Sequence, residues 1–337
     1  MPEPLGGIHH VTAVSSEPGG TVAFYRDVLG LRLVKVTVNF DDTETYHLYF
    51  GNETGDPGTS LTFFPFGGPA GQSGVGGATA TAFAVPPDAL AFWTEHLATR
   101  GVAVDGPLDR FGERVCRFRA PDGLPLELVE TGTSLEPWAG GSVPEAHAIR
   151  GFHGVTLTPT DATATGSVLE TMGFRRTGEE SERLRYEGAA EDARVVDLLA
   201  GGDDRHRAGA GTVHHVAFRV PDEAAQDAWR EELSGAGLRV TPPKERHYFR
   251  SIYFRAPGGV LFELATEGPG FTADEAVDDL GSALQLPPWL ADRRDSIEAG
   301  LRPIDLEDPA RVGAGREDSG GAESGIDDDA RTDGGDE

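Results

Sequence analysis

The sequence contains one cysteine, two lysines and no long hydrophobic run among its 337 residues. Because Cys116 is alone, the chain can form no internal disulfide and has no thiolate cluster for a metal. No segment approaches the roughly 20 apolar residues of a membrane-spanning helix. The first residues lack the basic and apolar stretches of a signal peptide. We therefore expect a cytoplasmic protein with no membrane partner.

Positive charge is also scarce. The chain has 29 basic and 56 acidic residues, a net charge of −27, and its lysines are Lys35 and Lys244. This balance argues against nucleic acid or an anionic membrane as a partner. Two interpretations remain: an acidic, substrate-repelling surface of no special meaning, or a halophilic protein in a salt-rich cytosol. We favour the second, because salt screens repulsion among carboxylates and few lysine stems leave little apolar surface exposed.

The halophilic interpretation predicts that salt stabilises the protein. Between low and molar potassium chloride, we expect the melting temperature to rise by about 10 °C, which corresponds to roughly 7 kcal/mol in a chain of this size. Differential scanning calorimetry over a salt series measures this rise. A melting temperature that does not change with salt would contradict the interpretation.

One dipeptide occurs twice. His9-His10 and His214-His215 each open an alternating apolar run that predicts a strand. A third such run, residues 258–264, holds Glu263 among apolar neighbours. Two histidines and one carboxylate on facing strands are the ligands of a mononuclear metal site with open positions.

The chain also repeats itself in register. Residues 118–128 resemble residues 254–264, and residues 7–12 resemble residues 151–156. Such internal repeats indicate that the chain consists of units of one supersecondary type. Each unit is predicted to contain a strand, a helix and two or three further strands. The four units cover residues 8–66, 78–130, 151–200 and 213–267. The first helix is predicted over residues 20–29, and residues 271–301 are compatible with either helix or extended chain.

This fourfold pattern resembles the vicinal oxygen chelate superfamily. Residues 34–42, 46–53 and 55–59 resemble the hydroquinone-type ring-cleaving dioxygenases within it, and the similarity covers about residues 5–290. The resemblance implies an α+β fold of four βαβββ modules paired into two half-barrel cups. We predict an N-terminal domain over residues 1–140 and a C-terminal domain over residues 150–290. The Asp-, Glu- and Gly-rich residues 307–337 are predicted to be a disordered tail.

By the same resemblance, Fe(II) is bound by His10, His215 and Glu263, with Mn(II) as a substitute. The alternation of strand side chains supports this choice, because only one histidine of each pair can point at a common ion. When the repeats are aligned, Gly154 takes the position of His10 and Ala80 takes the position of His215. Although Glu127 matches Glu263, it lacks matching histidines and is interpreted as structural. One metal per chain is expected, in the cup formed by units one and four.

Five further residues match positions near the substrate and oxygen in that family: His9, Thr12, His214, Arg246 and Tyr253. An imidazole there can move a phenolic proton, and Arg246 can stabilise a phenolate anion. The remaining histidines considered, His47, His153 and His247, are interpreted as structural.

The predicted activity is extradiol-type cleavage of a hydroquinone or catechol by an Fe(II)-dependent dioxygenase. Its partners are a small aromatic diol and O₂, and a homo-oligomer is possible. A glyoxalase-I-like lyase is one alternative, but it generally needs a second carboxylate, and residues 61–64 offer none. A non-catalytic protein that binds a drug or quinone is the other alternative. It would have no need of a buried carboxylate, which is costly unless paired or metal-bound.

Overall fold

Four copies of one element order, βαβββ, follow one another in the computed structural model, which describes residues 2–306. The first module comprises β1 (Ile8–Ser15), α1 (Pro18–Val22), a π-helical segment (Ala23–Val28), β2 (Arg32–Asn39), β3 (Asp42–Gly51) and β4 (Ser60–Pro65). The second comprises β5 (Gly77–Val85), α2 (Leu90–Ala98), β6 (Val104–Arg110), β7 (Glu113–Arg119) and β8 (Pro125–Glu130). The predicted acidic tail, residues 307–337, lies outside the described residues.

The second half of the chain repeats this order. The third module comprises β9 (Gly151–Thr158), α3 (Ala162–Thr171), β10 (Arg175–Glu180), β11 (Arg183–Glu187) and β12 (Val195–Leu199). The fourth comprises β13 (Thr212–Val220), α4 (Glu223–Gly235), β14 (Lys244–Glu245), β15 (Arg250–Arg255) and β16 (Leu261–Thr266). After it come three 3-10 turns (Phe271–Ala273, Val277–Asp279, Pro288–Arg293) and α5 (Arg294–Gly300). None of the helices in residues 2–306 is long and apolar enough to cross a bilayer.

The strands form two curled sheets of eight strands each. The first sheet, in the order β14-β15-β16-β13-β1-β4-β3-β2, combines the fourth and first modules. The second, in the order β10-β11-β12-β9-β5-β8-β7-β6, combines the third and second modules. The predicted α+β fold of four modules in two half-barrel cups is confirmed. The division into domains at residues 1–140 and 150–290 stays a prediction, and each sheet takes one module from either side of it.

Local sequence signals explain where the helices begin. Asp222 caps α4, and its carboxylate accepts the backbone N–H of Ala225 at 2.8 Å. In α1, Glu17 is the cap and Pro18 takes the first helical position. The predicted α-helix over residues 20–29 is only partly right, because Ala23–Val28 is π-helical and buries the adjacent rings of Phe24 and Tyr25.

The segment after the fourth module covers the open edge of the first sheet. Leu290, Ile297 and Leu301 pack against Val38 of β2 in one buried cluster. Lys35, also on β2, is completely buried beneath residues 274–275 of the same segment. The choice between helix and extended chain is therefore resolved as short helical turns that pack against β2.

Candidate active site

Three adjacent strands in the middle of the first sheet carry the predicted metal ligands. His10 lies on β1, His215 on β13 and Glu263 on β16. His215 is opposite Thr12 on the neighbouring strand, and Glu263 is opposite Ala217. Because residues two apart on a strand share a face, this register brings all three side chains to the same side of the sheet.

The donor atoms of these three side chains form a small triangle. The Nε2 atoms of His10 and His215 are 3.2 Å apart, and Oε2 of Glu263 lies 3.5 Å from the first and 2.9 Å from the second. Ligands that bind one ion at about 2.1 Å and at right angles are about 3.0 Å apart. No other group of three His, Cys or acidic side chains within residues 2–306 lies close enough to hold an ion.

The Glu263 carboxylate is completely buried. Its Oε1 accepts a hydrogen bond from the Ser251 hydroxyl, whereas Oε2 accepts no hydrogen bond of good geometry in the described residues. Burial by itself raises the pKa of this carboxyl, but the imidazoles of His10 and His215 hold that pKa well below its ordinary value. A buried, ionised oxygen without a donor is costly unless a cation meets it. The arrangement therefore fits a divalent metal ion.

A cavity of about 350 Å³ opens directly onto this triangle. Aromatic and aliphatic side chains, among them Phe40, Phe64, Phe249 and Leu261, form part of its wall. Phe249 also lies against the rings of His9 and His10, with centroids 5.2 and 5.1 Å apart. A cavity of this kind, apolar with a few convergent polar groups, is typical of a small-molecule site.

The two histidines that precede the predicted ligands occupy different places. His9 is buried outside the cavity lining, and its Nδ1 lies 2.9 Å from Nδ1 of His10. Burial lowers the pKa of His9 to about 3. His214 lines the cavity, and its Nδ1 lies 2.8 Å from Nδ1 of His215. His214 is exposed as a residue, but its ring is partly desolvated in the cavity wall. This desolvation, with a smaller effect from His215, lowers the pKa of His214 to about 4, so the ring is neutral near pH 7.

Arg246 and Tyr253 meet at the cavity wall. Arg246 donates from Nε to the Tyr253 hydroxyl at 3.2 Å and from a terminal nitrogen to Oδ2 of Asp41 at 2.9 Å. Tyr253 is directly opposite Glu263 in the pairing of β15 with β16. Burial opposes the charge of Arg246, but Tyr253 and Asp41 raise its pKa above the ordinary value. The guanidinium is thus a permanent cation beside the predicted metal ligands.

Thr12 does not line the cavity but connects to a residue that does. Its hydroxyl lies 2.8 Å from that of Thr62, which in turn lies 2.9 Å from Nε2 of His47. Nδ1 of His47 lies 2.8 Å from the Tyr49 hydroxyl, and both His47 and Tyr49 line the cavity. The structure therefore places His47, interpreted from the sequence as structural, at the candidate site. Their spacing on β3 was a usable signal, because residues 47 and 49 share a face.

The other histidines interpreted as structural lie against carboxylates. Nε2 of His247 is 3.2 Å from Asp274, and Nε2 of His153 is 2.8 Å from Glu113. Burial raises the pKa of Glu113, but the hydrogen bonds and charges of His153 and Arg185 lower it to about 2.

This depressed pKa predicts how Glu113 affects acid stability. The unfolded carboxyl ionises near 4.5, so its contribution is complete above that pH and is lost as the pH falls from 4.5 to about 2. We expect Glu113→Gln to lower the free energy of unfolding by up to about 3 kcal/mol at pH 7. Urea titrations at several pH values measure this difference. If the difference in unfolding free energy between the wild type and the variant does not shrink below pH 4.5, the predicted role of Glu113 is wrong.

Comparison with known proteins places the whole described fold in one group. A sequence model of the Glyoxalase/Bleomycin resistance protein/Dioxygenase superfamily matches residues 7–128 and 155–264. The chain is 44% identical over 305 residues to MhqO of Bacillus subtilis (strain 168), whose assignment as a ring-cleaving dioxygenase is provisional, and the match covers 90% of this chain and 97% of MhqO. It is 38% identical to the chlorohydroquinone/hydroquinone 1,2-dioxygenase of Sphingobium indicum, over 88% of this chain and 96% of that enzyme.

Solved structures give the same grouping. A provisionally assigned dioxygenase from Bacillus subtilis superposes with a TM-score of 0.87 at 44% identity, over 90% of this chain and 99% of that chain. Glyoxalase I from Zea mays superposes with a TM-score of 0.58 at 16% identity, over 77% of this chain and 92% of that chain. The second likeness concerns the fold alone.

Proposed function

Because the chain belongs to the Glyoxalase/Bleomycin resistance protein/Dioxygenase superfamily, we propose that it is a ring-cleaving dioxygenase of the extradiol type that acts on a hydroquinone or, as second choice, a catechol. The observation that carries the proposal is the buried triangle of His10, His215 and Glu263 at the wall of an aromatic-lined cavity. The names of the relatives supply the reaction class.

The donor set decides which ion suits the site. Two imidazoles and one carboxylate on one face leave three positions open, which is the arrangement used by non-haem Fe(II) oxygenases. When bound here, Fe(II), or Mn(II) as its substitute, would supply open positions where a substrate oxygen and O₂ meet. The residues of the chain then bind and orient the ring, exclude water and control protons.

The cavity wall supplies the binding and orientation. A single aromatic ring with a small substituent suits a space of about 350 Å³ bounded by Phe64 and Phe249. Arg246 and the Tyr253 hydroxyl, 3.2 Å apart, present donors to a phenolate oxygen and stabilise its charge. Because these donors are held by packing and by Asp41, they need little reorganisation on binding.

His214 supplies a hydrogen-bond donor in this proposal. Its Nδ1 lies 2.8 Å from Nδ1 of His215, which would carry a proton if His215 held the metal through Nε2. The proton of the neutral His214 ring would then be on Nε2, which would donate a hydrogen bond to a substrate oxygen in the cavity. The Tyr49 hydroxyl, oriented by Nδ1 of His47, forms a second polar group at the wall and would contact the other substrate oxygen.

The lyase alternative has less support from the site. Glyoxalase-I-type chemistry generally uses a further carboxylate, and β4, which runs beside β1, contributes Phe64 to the cavity instead. No fourth His, Cys or acidic donor joins the triangle in residues 2–306.

Oxygen uptake tests the proposal. Protein loaded with Fe(II) under anaerobic conditions in molar salt is given hydroquinone, methylhydroquinone and catechol, with His215→Ala as the control. We expect one O₂ consumed per ring, a new ring-opened chromophore, and loss of both in the variant. A protein that binds one metal and takes up no oxygen would overturn the proposal and lead to a lyase assay with Ni(II) or Zn(II). Tight diol binding without turnover would favour the non-catalytic alternative.

Arg246→Gln is expected to lower kcat by about 10²-fold, the effect of removing one preorganised charged donor from an active site. Arg250→Gln is the matched control, because Arg250 begins β15 nearby but pairs with the exposed Glu223 and Asp227. Steady-state oxygen uptake compares the two variants. Equal kcat values for both would show that Arg246 has no role in the reaction.

A further inference from the structure

The second sheet repeats the first closely enough for each active-site position to have a counterpart. Thr156 pairs with Ala80 there as Thr12 pairs with His215 in the first sheet. Glu127 pairs with Ala82, which lies two residues after Ala80. In the first sheet, Glu263 pairs in the same way with Ala217, which lies two residues after His215. The counterparts of the three metal donors, in the order His10, His215 and Glu263, are Gly154, Ala80 and Glu127.

No metal site of the first type can exist in this second cup. Any side chain at Gly154 would overlap the carbonyl oxygen of Val195, so a histidine does not fit there. The carboxylate of Glu127 is bound instead by Arg110, whose two terminal nitrogens donate to it at 2.6 and 2.8 Å. An organic cation therefore takes the place next to this carboxylate that a metal would take in the first cup.

The residues around Glu127 and Arg110 are basic where the first cup has aromatic side chains. Arg185 pairs with Asp197 as Tyr49 pairs with Thr62, so Arg185 takes the position of Tyr49. Two residues earlier on the same strands, Arg183 takes the position of His47. Arg117 is opposite Glu127 as Tyr253 is opposite Glu263. Positions that line the cavity of the first cup thus carry guanidinium groups in the second.

Arg183 has the least complete charge compensation among the inner guanidinium groups. It donates to the Thr156 hydroxyl at 2.8 Å and to Asp197 at 3.2 Å. Asp197 already accepts two hydrogen bonds from Arg185, at 2.9 and 3.1 Å. Burial, together with repulsion from Arg110, lowers the pKa of Arg183 from its ordinary value. An anion next to Arg183 would offset both the cost of burying its charge and the repulsion from Arg110.

Arg183 opens onto a groove of about 790 Å³ in which basic groups outnumber acids. Its charged lining consists of four arginines and two carboxylates: Arg100, Arg117, Arg119, Arg183, Asp105 and Glu127. Arg117 pairs with Asp105, and Glu127 is neutralised by Arg110. Arg100 and Arg119 donate to the backbone carbonyls of His96 and Gly123, and neither is in an ion pair within residues 2–306.

The groove has an excess of positive charge, whereas the chain as a whole carries a net charge of −27. Apolar side chains, including Phe118, Leu126 and Leu199, line the groove between the charged groups. A ligand with anionic oxygens at its ends and a short carbon body would match both parts of the lining.

We propose that this groove binds a small organic dicarboxylate, with one carboxylate at Arg183 and the other at Arg100 and Arg119 on the rim. The site is separate from the metal triangle and contains none of its residues. The proposal does not depend on the reaction that the first cup catalyses.

Isothermal titration calorimetry on the full, metal-loaded chain at constant ionic strength tests the proposal. The probes are adipate, its neutral analogue adipamide, and inorganic phosphate. We expect one adipate per chain, no heat from adipamide, and weaker binding of phosphate, which lacks the carbon body. Arg183→Gln should weaken adipate binding by about tenfold or more, the effect of losing a charge-assisted hydrogen bond.

The internal repeat provides a matched control for the rim. Arg119 and Arg255 occupy equivalent positions, and each donates to the backbone carbonyl oxygen four residues later, Gly123 at 2.7 Å and Gly259 at 2.9 Å. Arg119→Gln should weaken adipate binding by several-fold, whereas Arg255→Gln should not change it. Because both side chains are exposed, these variants are expected to fold even where Arg183→Gln does not.

Four results would overturn the proposal. They are the absence of adipate binding, equal binding of adipamide, equal effects of the Arg119 and Arg255 substitutions, and phosphate binding that matches adipate in affinity and in sensitivity to the variants. The last result would assign the groove to free phosphate. Glu263→Gln should bind adipate as the wild type does, so a failure of the proposed reaction leaves this measurement unaffected.

Discussion

Glu263→Gln is expected to remove the metal and to reduce ring-cleaving turnover by about 10³-fold, since a catalytic metal contributes several kcal/mol to the reaction. Glutamine has the shape of glutamate but supplies no anionic donor. The two imidazoles, 3.2 Å apart at Nε2, would then have no negative partner within the triangle. Metal analysis after anaerobic loading with Fe(II), followed by oxygen uptake, measures both effects.

Glu127→Gln is the control for this substitution, because Glu127 occupies the same position in the second cup and is bound by Arg110. It should keep one metal per chain and full activity while losing stability. A chelator should lower the melting temperature of the wild type, since the metal binds the folded state alone, and should leave that of Glu263→Gln unchanged. Wild-type metal content in Glu263→Gln, or metal loss in Glu127→Gln, would contradict the assignment of the site.

Lys35→Met is expected to lower the free energy of unfolding by about 3–5 kcal/mol, the cost of removing one partner from a buried ion pair. The Lys35 side chain is completely inaccessible to solvent, and its Nζ donates to Asp274 at 2.6 Å and also to Glu275. The Glu275 side chain is itself only 4% exposed, and its second oxygen has no hydrogen bond in the described residues. Methionine would fill the space but leave two carboxylates without their cation.

The only other lysine in the sequence is the natural control. The Lys244 side chain is 44% exposed and lies 3.6 Å from Asp41, so Lys244→Met should change stability by less than about 0.5 kcal/mol. The triple variant Lys35→Met, Asp274→Asn, Glu275→Gln should recover part of the loss. Chemical denaturation in molar salt compares all three variants. Equal stability of the two single lysine variants would show that the buried pair contributes nothing.

The effect of Lys35→Met is expected to reach the proposed metal site. Asp274 also accepts a hydrogen bond from the Tyr248 hydroxyl at 2.9 Å, and the next residue, Phe249, packs against His10. The segment that follows the fourth module therefore helps to fix the wall of the candidate active site.

Much of the fold could be predicted from the sequence because its signals are local and repeated. Strand side chains alternate, so the two His-His pairs and Glu263 could be placed on strands from their neighbours alone. The echoes between residues 118–128 and 254–264 indicate equivalent strands through residue identity and spacing alone. The pairing of the first module with the fourth followed from a chemical requirement, since the proposed ligands must meet at one ion.

Other features of the site depend on neighbours that are distant in sequence. The spacing of His47 and Tyr49 indicates that the two side chains share a face of β3. It does not indicate which face lines the cavity, because that depends on packing against distant strands. The change of helix type at Ala23–Val28 depends in the same way on how adjacent Phe24 and Tyr25 are both buried.

The sequence by itself thus determined the four modules, the strand positions of the proposed ligands and the absence of a histidine pair in the second cup. Tertiary structure alone decided which polar side chains converge. Lys35 illustrates the reason, because only packing of residues 274–275 against β2 turns an ordinary strand lysine into a buried cation. Alternation and repeats are properties of neighbouring residues, whereas burial and charge pairing depend on contacts between segments more than 200 residues apart.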